Sequence, residues 1–406
     1  MGNLMSELKI IARARYGVIT MAFGLLPGTW VLAQAPPHAP VTCAANGALP
    51  GPASYKSVEA LSDHRVTFRL CAPNAAWVSV TSPDLADIIP LGIGGGPAGL
   101  TMTRDAQGLW SVTTPAPVAP DTYRFSFNVD GVTIPDPQGT SFSLTRVGQF
   151  STFEAPGAEG AFQTYDKAVP HGVVSVVEYW SASLGILRRA HVYTPPGYMR
   201  DSAHYPVLYL VHGAGDSDDS WTSAGHAQYI LDNLIAAGKA RAMIVVMPFG
   251  HTPPGKGANM LANADFARDF FEDLIPYVDG HFRTIKAPSA RAMAGLSMGG
   301  AHTLQFGLTH PELFRYIGIF SMGFMTADQA TAYEAANAPA LSQSGKSMKL
   351  VYYAIGNKDF LYASAAPTRA MMDKYGIKYL YHESDGGHTW INWRRYFADF
   401  APRLFK

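Results

Sequence analysis

Residues 294–300 read Ala-Gly-Leu-Ser-Met-Gly-Gly. This Gly-x-Ser-x-Gly string sits between an apolar run, Ala290 to Ala294, that reads as a strand and a helical run, Ala301 to Leu308. A serine on so sharp a strand-to-helix turn holds its hydroxyl clear of the backbone, and small neighbours let the chain turn that tightly. In a chain with 39 Gly the bare string carries little, but its setting makes Ser297 a candidate nucleophile. A serine hydroxyl attacks poorly until an imidazole takes its proton. Four histidines follow Ser297. His302 and His310 fall on or at the end of the adjoining helix, and His382 falls in a strand. His388, in Asp385-Gly386-Gly387-His388-Thr389-Trp390, lies in a glycine loop after the last predicted strand, which makes it the candidate base.

An orienting carboxylate belongs between Ser297 and His388, in a loop at the C-terminal end of a strand. Asp359 meets that condition, following the strand Leu350 to Ile355 through Gly356-Asn357-Lys358. Glu383 and Asp385 are so near His388 that they would have to fold back onto the ring. Two N–H donors are needed for an oxyanion. Met298, opening the helix after the serine, supplies one; Ala214, in Val211-His212-Gly213-Ala214-Gly215 at the end of an apolar strand, supplies the other. Asp216, Asp218 and Asp219 invite a calcium reading, but their spacing is not that of an EF-hand loop, and a solvated loop and helix cap is the plainer account. No metal or cofactor is needed.

The elements that must position these residues begin near residue 172. Val173 to Trp180 and Arg189 to Thr194 predict a hairpin. Val207 to His212, Met243 to Met247, Ala290 to Ala294, Tyr316 to Phe320, Leu350 to Ile355 and Lys378 to Glu383 predict buried strands, with helices at His226 to Ala237 and Phe266 to Phe282 between them. Strands alternating with helices give an α/β fold with a mainly parallel, two-sided sheet over residues 172–406. Earlier the grammar differs. Ser62 to Ala72, Trp77 to Thr81, Leu109 to Thr113 and Asp121 to Val129 are short strands broken by turns, including a glycine cluster at Gly92 to Gly96. They predict an all-β, immunoglobulin-like sandwich over residues 36–151, joined by a linker at 152–171.

Composition narrows the function classes. With 31 Lys+Arg against 31 Asp+Glu and no basic run, the chain carries no electrostatic footprint for nucleic acid. Residues 1–35 read as a signal peptide: Lys9, Arg13 and Arg15 precede an uncharged stretch that ends in Ala33-Gln34-Ala35. Its removal leaves 28 basic residues against 30 acidic ones in a secreted or periplasmic protein with no membrane segment. Cys43 and Cys71 survive cleavage. In Val66-Thr67-Phe68-Arg69-Leu70-Cys71 the alternation turns Cys71 away from the face of Val66, Phe68 and Leu70, where a tail bearing Cys43 can reach it, so a disulfide is expected.

His212-Gly213-Ala214-Gly215 with Trp221, Asp-Gly-His-Phe-Arg at 279–283, the Ser297 string, Asp359, and Gly387-His388-Thr389-Trp390 with Trp393-Arg394 together resemble the esterase D-like α/β-hydrolases, most nearly carbohydrate esterase family 1, the feruloyl and acetylxylan esterases. Val66 to Ala75 with Trp110, Tyr123 to Gly131 and Asp136-Pro137 resemble the family 48 carbohydrate-binding modules. The resemblance implies a serine esterase acting on feruloylated or acetylated polysaccharide, with Ser297, His388 and Asp359 as its triad. The substrate side would be lined by His212, Gly213, Trp221, His251, Tyr362 and Trp390, with loops near Phe249 to Gly255 and Gly323 to Ala340 choosing the substrate. It also leaves room for a siderophore esterase or an acyltransferase of the same fold. A non-catalytic carbohydrate-binding protein is the alternative of another class, against which the ordered Ser, Asp and His set argues.

Overall fold

The computed structural model describes Cys43 and residues 55–91, 98–254 and 263–406; the signal-peptide segment and the glycine cluster at 92–96 lie outside these. From Thr42 onward the chain forms one compact unit. Its C-terminal part is built on an eight-stranded sheet: β1 (Val173–Ser181), β2 (Ile186–Thr194), β3 (Val207–Val211), β4 (Ile244–Pro248), β5 (Arg291–Leu296), β6 (Tyr316–Phe320), β7 (Leu350–Gly356) and β8 (Leu380–Ser384), in the order β1-β2-β4-β3-β5-β6-β7-β8. β1 and β2 form the expected antiparallel hairpin, β2 meets β4 antiparallel, and every later pairing is parallel.

Continuous apolar runs make the central strands. All five residues of β3, β4 and β6 are buried, as strands covered by helices on both faces must be. One face packs Leu208, Leu210, Val245 and Ala294 against Ile230 and Leu231 and the aromatic side of the helix Trp390–Phe400. The other packs Tyr209, Val211, Val246 and Met293 against Phe266, Phe270 and Val278.

The single helix expected at Phe266 to Phe282 runs from Ala264 to His281 but widens into a π-type turn over Asp269–Leu274. Pro276 follows, whose missing N–H interrupts the regular ladder. The stretch read as a substrate loop, Gly323 to Ala340, is largely helix, Ala327–Ser347. Its alanines favour helix, and Thr326 caps it by accepting from the Gln329 N–H at 3.2 Å while the Gln329 side chain accepts from Met325 N–H.

Before residue 156 the chain forms two antiparallel sheets. One orders Val58–Ala60, Val66–Cys71, Leu109–Thr113 and Thr103–Arg104; the other orders Leu100–Thr101, Val78–Thr81, Asp121–Val129, Gln149–Ala155 and Phe142–Leu144. Val66, Phe68, Leu70 and Trp110 of the first share a core with Val80, Tyr123, Phe125, Phe127 and Phe153 of the second. The rings of Phe68 and Phe125 lie 5.2 Å apart. The boundary expected at residue 151 moves, because Gln149–Ala155 is a full strand and Phe153 belongs to this core. Only the stretch after it behaves as a connector, with a short 3-10 helix at Ala158–Gln163 whose Phe162 packs on the α/β core. Cys43 and Cys71 are joined by a disulfide, S–S 2.07 Å.

Candidate active site

Ser297 directly follows β5 with φ 52° and ψ −117°. A side chain rarely occupies that region, and the surroundings enforce it. The Ser297 N–H donates to Phe320 O of β6 at 2.9 Å, and the helix starts at the next residue. A Cβ on Gly295 would lie 2.4 Å from the Gly299 carbonyl carbon, and one on Gly299 would lie 2.3 Å from Val211 O. The glycines flanking the serine are therefore demanded by backbone against backbone.

Asp359 and His388 follow β7 and β8, beyond β5 and β6 in the same parallel run, so all three residues leave C-terminal strand ends. His388 Nδ1 lies 3.0 and 2.9 Å from the two oxygens of the buried Asp359. A carboxylate only accepts, so Nδ1 carries the hydrogen and Nε2 keeps the lone pair a general base needs. Asp359 is itself fixed, because its Oδ1 also accepts from the Leu361 N–H at 2.8 Å. The rival carboxylates are engaged elsewhere: Glu383 accepts from Tyr362 Oη at 2.8 Å, and Asp385 from Asn357 Nδ2 at 3.0 Å.

The loop after β3 is set by His212. Its Nδ1–H donates to Gly213 O at 2.8 Å, and its Nε2 accepts from the Gly250 N–H at 2.9 Å. Burial pushes its pKa down, which keeps this ring neutral as those two bonds require. Gly213 O also accepts from the Asp216 N–H at 3.1 Å. A planar trans peptide points its N–H opposite to its C=O, so fixing Gly213 O aims the Ala214 N–H away from these donors. A Cβ on Gly213 would stand 3.6 Å from Ser297 Cβ, which places the loop beside the serine. Met298, as the first helical residue, has an N–H without an intrahelical acceptor.

The expected substrate-side residues divide. His212 is buried and acts on the loop rather than on a ligand. Trp221 and Trp390 are corrections. Both are fully buried, their rings 5.1 Å apart edge to face, and Trp221 Nε1 donates to Val211 O, so they support the loop from within the core. Tyr362 is partly exposed and bonded to Glu383. His251 donates from Nε2 to Asp216 O and, with Phe249, lines a pocket of about 500 Å³. Arg146, Arg188 and Arg189 share that pocket with Glu178. Arg188 is held by Asp269 and Arg189 by Asp218. Asp219 takes the Leu144 N–H. Among the described residues no group of three or more His, Cys, Asp or Glu side chains is placed to hold a metal.

Three residues given no role by the sequence complete the site. Phe360 is 74% exposed with its ring 4.5 Å from that of His388, an outward-facing aromatic beside that imidazole. Its place next to Asp359 was the available signal. Trp393 packs edge to face on His388 at 4.9 Å, and its Nε1 donates to Ser321 Oγ at 2.9 Å. Ser321 directly follows Phe320, whose carbonyl holds Ser297, so one short path ties His388 to Ser297.

The family model described as a putative esterase matches residues 181–404. An endo-1,4-beta-xylanase/feruloyl esterase of Xylanibacter ruminicola is 33% identical over 352 residues, which are 85% of this chain; the chain spans 45% of that relative's length. Two solved structures share the fold. A CE1 ferulic acid esterase from Anaeromyces mucronatus, in complex with ferulic acid, has 20% identity and a TM-score of 0.52, covering 60% of this chain and 95% of its own. An enterochelin esterase from Shigella flexneri has 17% identity and a TM-score of 0.63, covering 86% and 95%. With the match spanning more than half of the sequence, the chain belongs to the putative esterase family.

Proposed function

We propose that this esterase is exported and cleaves esters on plant cell-wall polysaccharide, releasing ferulic or other hydroxycinnamic acids, or acetyl groups, through an acyl-enzyme on Ser297. The observation that carries the mechanism is the two-oxygen engagement of His388 Nδ1 by Asp359, which leaves Nε2 as the base. Ser297 Oγ bonds to the ester carbonyl carbon as its proton passes to His388 Nε2. The Ala214 and Met298 N–H groups take up the charge on the carbonyl oxygen. The proton then goes to the departing alkoxide; water, deprotonated by the same nitrogen, bonds to the acyl carbon, the bond to Ser297 Oγ breaks, and the proton returns to that oxygen as the acid leaves. The Xylanibacter relative supports the acyl class, and Phe360 offers a face for a phenolic ring.

The N-terminal sheets fit a sandwich of the carbohydrate-binding-module type. Trp110 lies in its core with Nε1 bonded to Ala72 O, which leaves Trp77, 37% exposed, as the aromatic open to a sugar. Export is supported by the charge pattern of residues 1–35 and by the disulfide.

One observation favours a second reading, a siderophore esterase: the likeness to the Shigella structure covers 86% of this chain and so takes in the N-terminal sheets as well. Hydrolysis of methyl ferulate, acetylated xylan, p-nitrophenyl acetate and a catecholate siderophore separates the two, with Ser297→Ala as the blank. Turnover of the siderophore alone would replace the first reading.

A further inference from the structure

The oxyanion loop is gripped from outside its own domain. Arg124, on the strand Asp121–Val129 of the N-terminal sheets, is buried. Its Nε and Nη2 lie 2.9 and 2.8 Å from Asp84 Oδ2 and Oδ1, and its backbone N–H donates to the same carboxylate at 2.9 Å. A planar guanidinium fixed twice on one carboxylate has little freedom left. Its Nη1 then reaches across to Asp216 Oδ1 at 2.8 Å. Asp84 already offsets the arginine's charge, so folding of the N-terminal sheets does not require Asp216. The dependence runs the other way, since the buried Asp216 carboxylate takes its charge partner from Arg124.

Asp216 in turn shapes the loop. Its N–H closes on Gly213 O at 3.1 Å, and its carbonyl accepts from His251. A Cβ on Gly213 would stand 2.9 Å from Asp216 Oδ2 and 3.6 Å from Ser297 Cβ, so carboxylate, loop and nucleophile are packed in series. The backbone adds a second hold from the same side: Thr145 bridges Asp216, and the Arg146 N–H donates to Gly215 O at 3.3 Å.

We propose that Arg124 is a positioning residue for ester hydrolysis: through Asp216 it holds the Gly213–Ala214 peptide where its N–H meets the oxyanion, so the N-terminal sheets complete the oxyanion hole. The inference rests on the reading of Ala214 and Met298 as the donors. A displaced donor weakens transition-state binding and leaves ground-state binding almost untouched.

The test uses the full-length chain with p-nitrophenyl acetate. Arg124→Lys keeps the charge and loses the fork. Asp216→Ala removes the anchor but leaves Arg124 paired with Asp84, so it serves even if the lysine variant does not fold. Each is expected to lower kcat on the order of 10- to 100-fold with KM within about twofold. Phenylboronic acid, which becomes tetrahedral on the serine, should lose affinity by a similar factor, while ferulic acid binds as before. A merely structural role predicts a lower Tm with unchanged kcat and unchanged boronate inhibition. Asp216→Ala with kcat within twofold of the parent enzyme overturns the proposal. If Ser297→Ala stays active, or boronate does not inhibit the parent enzyme, the donor reading itself has failed and the inference falls with it.

Discussion

Arg394 Nη2 lies 2.6 Å from Asp121 Oδ1, an ion pair sealed from solvent that joins the helix Trp390–Phe400 to the strand Asp121–Val129. The guanidinium also donates to Thr122 O at 2.8 Å and to Ala224 O. Removing one partner of such a pair strands the other charge where water cannot reach it. Asp121→Ala should therefore cost about 3–5 kcal/mol, whereas Asp63→Ala, which breaks the solvent-exposed pair with Arg65, should leave stability almost unchanged. Urea denaturation of the two variants checks the contrast, and equal losses would contradict it.

For the triad, Ser297→Ala and His388→Ala should each lower kcat on the order of 10⁴- to 10⁶-fold with little change in Tm, and Asp359→Asn somewhat less. Asp385→Asn, whose carboxylate accepts from Asn357 and does not face His388 Nδ1, should stay within about twofold. Steady-state kinetics on p-nitrophenyl acetate decides the assignment. A large loss at Asp385 with none at Asp359 would transfer the orienting role.

Two glycines make opposite cases. An added methyl at Gly299 would meet Val211 O at 2.3 Å and His212 O at 2.8 Å, backbone atoms that cannot swing aside. At Gly131, with φ +91°, nothing lies within 4 Å. Gly299→Ala should thus cost about 3 kcal/mol and disturb turnover, and Gly131→Ala about 1 kcal/mol with turnover intact. Melting curves and kcat of both variants test this.

Burial holds His226 and His251 neutral, each with its pKa lowered to about 4. Between that value and the ordinary imidazole range the unfolded chain binds protons that the folded chain refuses. Their contribution is complete above about pH 6.5 and is lost as pH falls toward 4, with His226 worth about 3 kcal/mol over that window and His251 less because solvent reaches it. Tm should fall steeply on acidification from pH 7 to pH 5, and His226→Gln should flatten the slope. An unchanged slope would contradict it.

The Cys43–Cys71 link closes a loop with a sequence separation of 28. Loop-closure entropy for that span amounts to about 3–4 kcal/mol. Peptide mapping without reductant should recover one cross-linked pair, and reduction should lower the urea midpoint. Two alkylatable thiols in protein from an oxidising compartment would contradict the pairing.

Much of the α/β half was legible because its strands are apolar on both faces: Tyr316–Phe320 was expected residue for residue, and β7 and β8 to within two residues at either end. The places of Ser297 and Asp359 after the ends of parallel strands were legible because each follows an apolar run that stops abruptly, and that of His388 because a glycine loop follows the last strand. The roles of Trp221 and Trp390 were misread, since an aromatic near a site motif looks alike in sequence whether it faces substrate or core; only packing against Val211 and each other decides. The helix Ala327–Ser347 was hidden by Pro339, although Thr326 and Gln329 marked its start. Arg124 and Asp216 stand 92 residues apart, and no local pattern announces a contact of that span.

The turn around Thr145, where the N-terminal sheets meet the loop after β3, bears on how this chain can be recombined with its relatives. Asp219 accepts from the Leu144 N–H, and Ser223 shares a hydroxyl contact with Ser143. A chimera that splices a foreign hydrolase half at the connector would therefore pair this turn with a loop it was never shaped for. A workable crossover must carry the segments 142–148 and 213–223 together, which lie on opposite sides of the apparent domain border. In this chain the unit of exchange is the contact surface and not the domain.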